Sequence, residues 1–315
     1  MKNLFTTLLL TIISLTAAAK TVIEPSATYL YASRDSCELY MDIYEPADGA
    51  PTSIDGIQKP AILFVFGGGF KEGERDGELQ KLWFKQMTDN GFRIIAIDYR
   101  LGLKGAENPG LNMKFAKKLD SAIGIAVEDL FSATRFICDN AEELNIDPAD
   151  LVICGSSAGA ITVLQAEWKI CNGDDSAKVL PAGFNYKGVM SFAGAIFSTE
   201  GAVSFKKEPC PLLMMHGTDD RMVVYKQMKL LKLRFAGTDA LTSICASKGY
   251  SYNTYRFDGN GHEISIALMS CFEEEMRFIS ENVMKGQKRN LDCTVSDPSI
   301  EIPSWARKGY KSLYK

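Results

Sequence analysis

Two rhythms of apolar and polar positions alternate along this chain. Short apolar runs recur, unbroken at Ala61-Ile62-Leu63-Phe64-Val65-Phe66, Leu151-Val152-Ile153-Cys154 and 212–215, and with isolated polar residues at 92–98 and 186–192. Each has the length of a strand covered on both faces. Between them the apolar spacing becomes helical: over 77–90, stopped by Gly91; over 122–144, with Gly124 inside; from about Ala158 onward; and over 223–235, 239–247 and 263–285. A further strand is expected at 251–257. Upstream, 27–34 and 37–44 alternate apolar with polar residues around a turn at Asp35-Ser36, the pattern of an antiparallel hairpin at a sheet edge. The polar segments 45–59, 101–119, 171–184 and 200–211 read as loops, and Asp147-Pro148 introduces the strand at 151. Residues 287–315 have no clear period and are set apart as a C-terminal tail, wrapped on the surface or partly disordered. Strands alternating with helices predict an α/β architecture, a mostly parallel central sheet with helices on both faces. In such sheets chemistry gathers outside the carboxyl ends of the strands.

The first 19 residues bear on where the chain works. Lys2, an apolar stretch from Leu4 to Leu15, and Ala17-Ala18-Ala19 before Lys20 have the layout of a secretory signal peptide with an Ala-x-Ala cleavage site. The stretch is too short and too broken by threonines for a membrane anchor, and no other segment is apolar enough to span a bilayer. The mature protein is therefore expected to begin near Lys20, to form one domain over 20–286, and to be soluble and either secreted or periplasmic. With 315 residues, 46% hydrophobic and 23% charged, the chain can bury a large core. The formal charge of −4 becomes −5 when Lys2 leaves with the leader, and no basic run follows a phosphate backbone, so nucleic acid is not an expected partner. All eight cysteines would meet an oxidising compartment; some disulfides are expected, with about 105 full pairings open. There is no Cys-x-x-Cys, and the only histidines are His216 and His262, so a cysteine/histidine zinc site has little support. Cys154, within a central strand, reads as a small buried hydrophobe.

Candidate chemistry sits at the ends of the apolar runs. The run at 151 leads into Gly155-Ser156-Ser157-Ala158-Gly159, a Gly-x-Ser-x-Gly string at a strand-to-helix junction. Such an elbow holds a hydroxyl clear of its neighbours, and the following helix turns unsatisfied N–H groups and its positive dipole end toward it. Ser157 fits the register, whereas Ser156 lacks a glycine two residues before it. The string alone is common in ordinary turns, so context decides. A serine hydroxyl needs an imidazole to take its proton and a carboxylate to orient that imidazole. His262 sits in the turn Asp258-Gly259-Asn260-Gly261-His262 after the last helix-flanked strand, a placement suited to a base; a histidine with no chemical role at a helix start is the plain alternative. His216 is expected to be packed or hydrogen-bonded where it stands. Asp219 and Asp220 follow it; one is a candidate acid while the other caps a helix or meets solvent. Glu128 and Asp129, within 122–144, read as solvated charges. After the strand at 61–66 comes Gly67-Gly68-Gly69, without a Gly-Lys-Ser/Thr ending or a Gly-x-Gly-x-x-Gly pattern; its N–H groups suit an oxyanion hole better than a phosphate cradle.

The chain order Ser157, Asp220, His262, together with the elbow, resembles that of the α/β-hydrolases over nearly all of the sequence ahead of the tail. Phe66-Gly67-Gly68-Gly69-Phe70 resembles the His-Gly-Gly-Gly oxyanion loop of hormone-sensitive-lipase-like carboxylesterases and the related feruloyl and acetyl esterases, with Phe66 where that motif usually has histidine. Asp98-Tyr99-Arg100 resembles the strand end that follows in those enzymes, and Gly261-His262 is similar to their histidine loop. His216-Gly217-Thr218-Asp219-Asp220 resembles their His-Gly-x-x-Asp segment, which implies Asp220 as the acid. The resemblance implies an α/β-hydrolase fold and a serine carboxylesterase: Ser157 attacks an acyl carbonyl, His262 shuttles the proton, Asp220 orients the imidazole, and the N–H groups of Gly68, Gly69 and Ala158 hold the oxyanion, with no cofactor or metal. With a secretory leader, it further implies small-molecule or polysaccharide-linked esters, such as acetyl or feruloyl groups, as substrates. Two other readings stay open at this point: a serine exopeptidase-like hydrolase, and a catalytically silent binding protein on a hydrolase scaffold.

Overall fold

The continuous apolar runs become the middle of a sheet because both of their faces are covered. In the computed structural model, which describes residues 23–35, 37–106 and 113–314, every residue of the central strands is buried. The leader expected at 1–19 and Ser36 of the expected turn lie outside the described residues. The strands are β1 (Ala27–Arg34), β2 (Cys37–Tyr44), β3 (Ser53–Ile54), β4 (Ile57–Gln58), β5 (Ala61–Val65), β6 (Ile94–Ile97), β7 (Leu151–Ser156), β8 (Gly188–Phe192), β9 (Ala195–Ser198), β10 (Leu212–Gly217), β11 (Gln227–Leu230), β12 (Leu233–Gly237), β13 (Tyr252–Phe257) and β14 (Asn290–Val295). Nine of them form one sheet in the order β1-β2-β6-β5-β7-β8-β10-β13-β14. The edge pairs β1–β2 and β2–β6 are antiparallel. From β6 to β14 every neighbour is parallel. The α-helices of more than four residues are α1 (Glu78–Asp89), α2 (Met113–Asp139), α3 (Ala158–Asn172), α4 (Thr238–Lys248) and α5 (Phe272–Phe278). α2 packs against α3, and α1 meets α5 where the buried Trp83 indole donates to Glu275 Oε2 at 3.0 Å.

Several expectations change, each for a local reason. The apolar period over 223–235 is realised as the hairpin β11–β12, with Met228, Leu230, Leu233 and Phe235 repeating every second residue on its two arms. β12 finds a partner in β9, giving a small antiparallel sheet, and that pairing overrides the helical reading. The expected helix at 263–285 is broken into 3₁₀ turns at His262–Ile266 and Leu268–Cys271, the short α5, and a π-helical turn at Ile279–Met284. Its first turn is held by side-chain bonds within the histidine loop instead of by a regular ladder. The helix expected at 122–144 begins earlier, at Met113, and is interrupted after Asp139 before a short helical turn at Ala141–Leu144, so its far end agrees while the preceding connection is shorter than its Gly and Pro content suggests. Residues 287–315 do not simply wrap the surface: Leu291, Cys293 and Val295 alternate inward, and β14 extends the sheet beside β13.

Two readings of individual residues are also corrected. Asp129 is fully buried, not solvated; it accepts from Arg34 at 3.2 Å and from the Arg100 side chain and backbone N–H, at 2.8 and 2.9 Å. Glu128 stays exposed and pairs with Arg100. Among the described residues, the disulfides expected from secretion do not join Cys138, Cys154, Cys171, Cys210, Cys245, Cys271 or Cys293, which carry free thiols. A chain this long buries enough apolar surface to hold its fold without cross-links, and the thiols of Cys154, Cys245 and Cys271 pack as small hydrophobes, pushed up in pKa by burial.

Candidate active site

β7 delivers Ser157 to the head of α3 through a turn that only glycine neighbours permit. A Cβ on Gly155 would stand 2.3 Å from the Gly159 carbonyl, and one on Gly159 would stand 2.0 Å from the carbonyl oxygen of Val65. The helix start thus sits directly against β7 and β5. Ser157 itself takes φ +52°, ψ −113°, a conformation a β-carbon resists. It is held there by its N–H donating to the Phe192 carbonyl at 2.9 Å, while its carbonyl accepts from Ile161 in the first helical turn. Ser156 serves the same junction from the other side: its hydroxyl donates to the Ser265 carbonyl at 2.6 Å, tying the elbow to the histidine loop.

Ser157, His262 and Asp220, each at the carboxyl end of a different strand, come together in one chain of hydrogen bonds. Ser157 Oγ lies 2.8 Å from His262 Nε2, and His262 Nδ1 lies 2.7 Å from Asp220 Oδ2. Asp219 is exposed and directs only its backbone N–H inward, to the Asn260 carbonyl. Asp220 Oδ1 accepts from the N–H groups of Met222 and Val223 at 2.8 and 3.0 Å. His216, fully buried, approaches Asp220 Oδ2 at 3.2 Å through Nε2 and Thr238 Oγ1 at 2.9 Å through Nδ1. Burial works against ionisation of Asp220, but the hydrogen bonds from His216 and His262 outweigh it and hold the carboxyl well below the usual carboxylate range. An ionised acceptor there favours the tautomer of His262 that carries its proton on Nδ1 and leaves Nε2 open to the serine hydroxyl.

The glycine loop after β5 borders the same serine. Gly68, Gly69 and Ala158 all share cavity walls with Ser157. Ala158 opens α3, so its N–H has no acceptor within the helix. Gly68 has φ +109°, and a Cβ there would meet the Glu72 carbonyl oxygen at 1.9 Å; its own carbonyl accepts from Lys71 and Glu72, closing the loop into a turn. The histidine missing at position 66 is answered by an aromatic brace. The Tyr99 hydroxyl donates to the Phe66 carbonyl at 3.0 Å, and the two rings lie 4.4 Å apart between centroids. Tyr99 is in turn fixed by its neighbours. Asp98 accepts from Arg75 at 2.8 Å, and Arg100 holds the buried Asp129. Glu263 is a second brace that sequence reasoning missed: its carboxylate accepts from the Gly261 N–H at 2.9 Å and from Asn260 Nδ2 at 2.8 Å. The signal for it is an acidic residue directly after a histidine in a glycine-rich turn, masked by the helical period that begins at 263.

Among the described residues, no cluster of His, Cys, Asp and Glu could hold a metal ion, and no helix is long and apolar enough to cross a membrane.

Similarity to known proteins follows this geometry. Residues 41–170 match the model of the BD-FAE family. Over 179 residues the chain is 28% identical to secreted lipase 1 of Botryotinia fuckeliana, covering 55% of this chain and 27% of the lipase. Over 106 residues it is 30% identical to gut esterase 1 of Caenorhabditis briggsae, covering 34% of this chain and 18% of that esterase. The chain thus spans little more than a quarter of these relatives at most. In three dimensions it resembles the apo form of Thermogutta terrifontis esterase 2, with a TM-score of 0.57, 19% identity, and coverage of 82% of this chain and 95% of that one. The structural likeness extends over most of both chains, and this protein has the α/β-hydrolase fold.

Proposed function

We propose that the protein is a serine carboxylic ester hydrolase in which Ser157 is the nucleophile, His262 the general base and acid, and Asp220 the residue that orients the imidazole. The observation that carries this reading is the hydrogen-bonded series from Ser157 Oγ through His262 to Asp220, with separations of 2.8 and 2.7 Å. The relatives named secreted lipase 1 and gut esterase 1 support the ester-hydrolysing class. In the proposed cycle, His262 Nε2 takes the Ser157 proton as Oγ attacks the acyl carbon. The imidazolium that forms is stabilised by Asp220. Negative charge on the carbonyl oxygen is met by the N–H groups of Gly68, Gly69 and Ala158 and by the N-terminus of α3, each such donor contributing about 3 kcal/mol in the transition state. His262 then returns the proton to the departing alkoxide, and water, activated by the same imidazole, releases the acid.

The enzyme is further proposed to act outside the cytoplasm. This rests on the leader pattern at 1–19 and on the likeness to a secreted lipase. Acetyl or feruloyl esters of polysaccharide are the substrates to which the family resemblance points. Replacement of Ser157 by alanine tests the mechanism: hydrolysis of p-nitrophenyl esters should fall by about 10⁶-fold, with circular dichroism and thermal midpoint unchanged. Retention of full activity by a folded Ser157→Ala protein would exclude Ser157 as nucleophile. Amide substrates assayed beside the matching esters separate an esterase from an exopeptidase-like hydrolase.

A further inference from the structure

Two cavities meet at Ser157, both with mainly apolar walls, the second carrying the larger polar share. One, of about 350 Å³, reaches past Gly69 and Ala158 between α2, α3 and the β11–β12 hairpin, and its walls are mainly apolar: Phe115, Leu119, Ile161, Phe197, Leu233 and Phe235. The other, of about 500 Å³, is a more open cleft on the far side of the serine, where Glu74, Gln80, Lys308 and Ser312 stand around Trp305. The imidazole of His262 lines the second cavity and not the first. The segment after β14 separates the two, with Tyr310 facing the apolar cavity and Trp305 and Lys308 facing the cleft. It is anchored there because the His262 N–H donates to the Ala306 carbonyl and the Tyr310 N–H to the Arg221 carbonyl, both at 3.2 Å.

The tetrahedral carbon formed on Ser157 has four substituents, and the site assigns them by elimination. One is Oγ, and a second is the oxyanion, directed at Gly68, Gly69 and Ala158. The leaving oxygen must receive its proton from His262 Nε2, so it lies on the imidazole side, in the open cleft beside Lys308 and Gln80. The acyl substituent takes the remaining direction, into the apolar cavity. An acetyl group fills little of that space, since its methyl occupies about the volume of one water, roughly 30 Å³. Met228 and Leu230 of the hairpin, which line the cavity, are 41% and 45% exposed, so a longer acyl group would cover apolar surface that faces water. We propose that the substrates are esters joining an extended apolar acyl group, seated between α2, α3 and the β11–β12 hairpin, to a polar, hydroxyl-bearing alcohol seated against Trp305 and Lys308. The proposal rests on the serine-hydrolase reading above and chooses among the acyl groups it leaves open.

The test uses the full chain with two ester series and one labelling control. Acetyl, butyryl and octanoyl esters of p-nitrophenol vary the acyl side alone, and octanoyl glucose against octyl octanoate varies the alcohol. At roughly 0.8 kcal/mol per buried methylene, about fourfold each, the six methylenes added from acetyl to octanoyl should raise kcat/KM by about 10³-fold or more; octanoyl glucose should be cleaved faster than octyl octanoate. Leu119→Trp, which fills the apolar cavity, should cut the octanoyl-to-acetyl ratio at least tenfold. Trp305→Ala should lower the octanoyl glucose rate relative to that of octyl octanoate. If a fluorophosphonate probe labels Ser157 but acetyl esters are preferred, or Leu119→Trp leaves the acyl ratio unchanged, the cavity assignment is overturned while the triad stands. If the probe does not label Ser157 and no ester is cleaved, the triad reading falls and this proposal falls with it.

Discussion

Asp220 and Asp219 are neighbours of the same type, and their surroundings give them different work. Asp220 is buried and accepts four hydrogen bonds, two from backbone N–H groups and two from histidines, whereas the Asp219 side chain faces water. Asp220→Asn presents an amide where His262 Nδ1 needs an acceptor and so favours the wrong tautomer; kcat should fall on the order of 10⁴-fold. Asp219→Asn should change kcat less than about threefold, because it alters neither burial nor pairing. Steady-state kinetics of the two variants on one ester decide between these carboxylates. The Phe66 position teaches a related lesson. A resemblance that lacks its histidine is completed by the Tyr99 hydroxyl, which arrives from β6 and is invisible in the local sequence.

At the scale of elements, the elbow depends on how closely α3 approaches β5 and β7. Gly159→Ala puts a methyl group 2.0 Å from the Val65 carbonyl oxygen, which forces the helix off the sheet. The expected cost is about 1–3 kcal/mol, with activity lost beyond that because Ser157 moves with the helix. Gly124, inside α2, has open space where its Cβ would go, so Gly124→Ala should stabilise by about 0.5–1 kcal/mol through helix propensity. Urea denaturation midpoints of the two variants should move in opposite directions. The β11–β12 hairpin shows the converse, an element whose conformation is decided by its partner. Its apolar residues satisfy a helical and an alternating period about equally well, and pairing with β9 selects the strand.

For the whole molecule, buried carboxyl groups set how stability depends on pH. Burial pushes the Glu275 carboxyl well up from 4.5, against the smaller lowering effect of the Trp83 hydrogen bond. The native state therefore keeps this proton after the unfolded chain has released it. The linked stability is greatest below pH 4.5 and is lost as pH rises toward the folded value. Asp220 has the opposite sign: its depressed pKa stabilises the native state above the ordinary carboxylate range and ceases to do so in acid. Glu275→Gln keeps an acceptor for Trp83 and removes the ionisable proton, so its thermal midpoint relative to the parent should rise between pH 5 and pH 8. Equal midpoint differences at both pH values would show that Glu275 does not titrate in this way.

Much of this architecture was legible in the amino-acid order. Unbroken apolar runs of strand length have to be covered on both faces, which dictates a parallel sheet between helices, and the glycines around Ser157 mark a turn that side chains would block. Those signals are local, carried by residues within a few positions of one another. The sequence could not say which distant groups would satisfy a given residue. Asp129 looks like any solvated helix charge until Arg34 and Arg100 fold over it. Within 287–314 there is no period because only one strand joins the sheet, while Ala306 and Tyr310 are held by backbone bonds to the loops carrying His262 and Arg221. A period in the sequence reports one face packed against a uniform neighbour. Where the neighbour is a mixture of loop carbonyls, rings and buried charge, no repeat records it, and the tertiary structure alone decides.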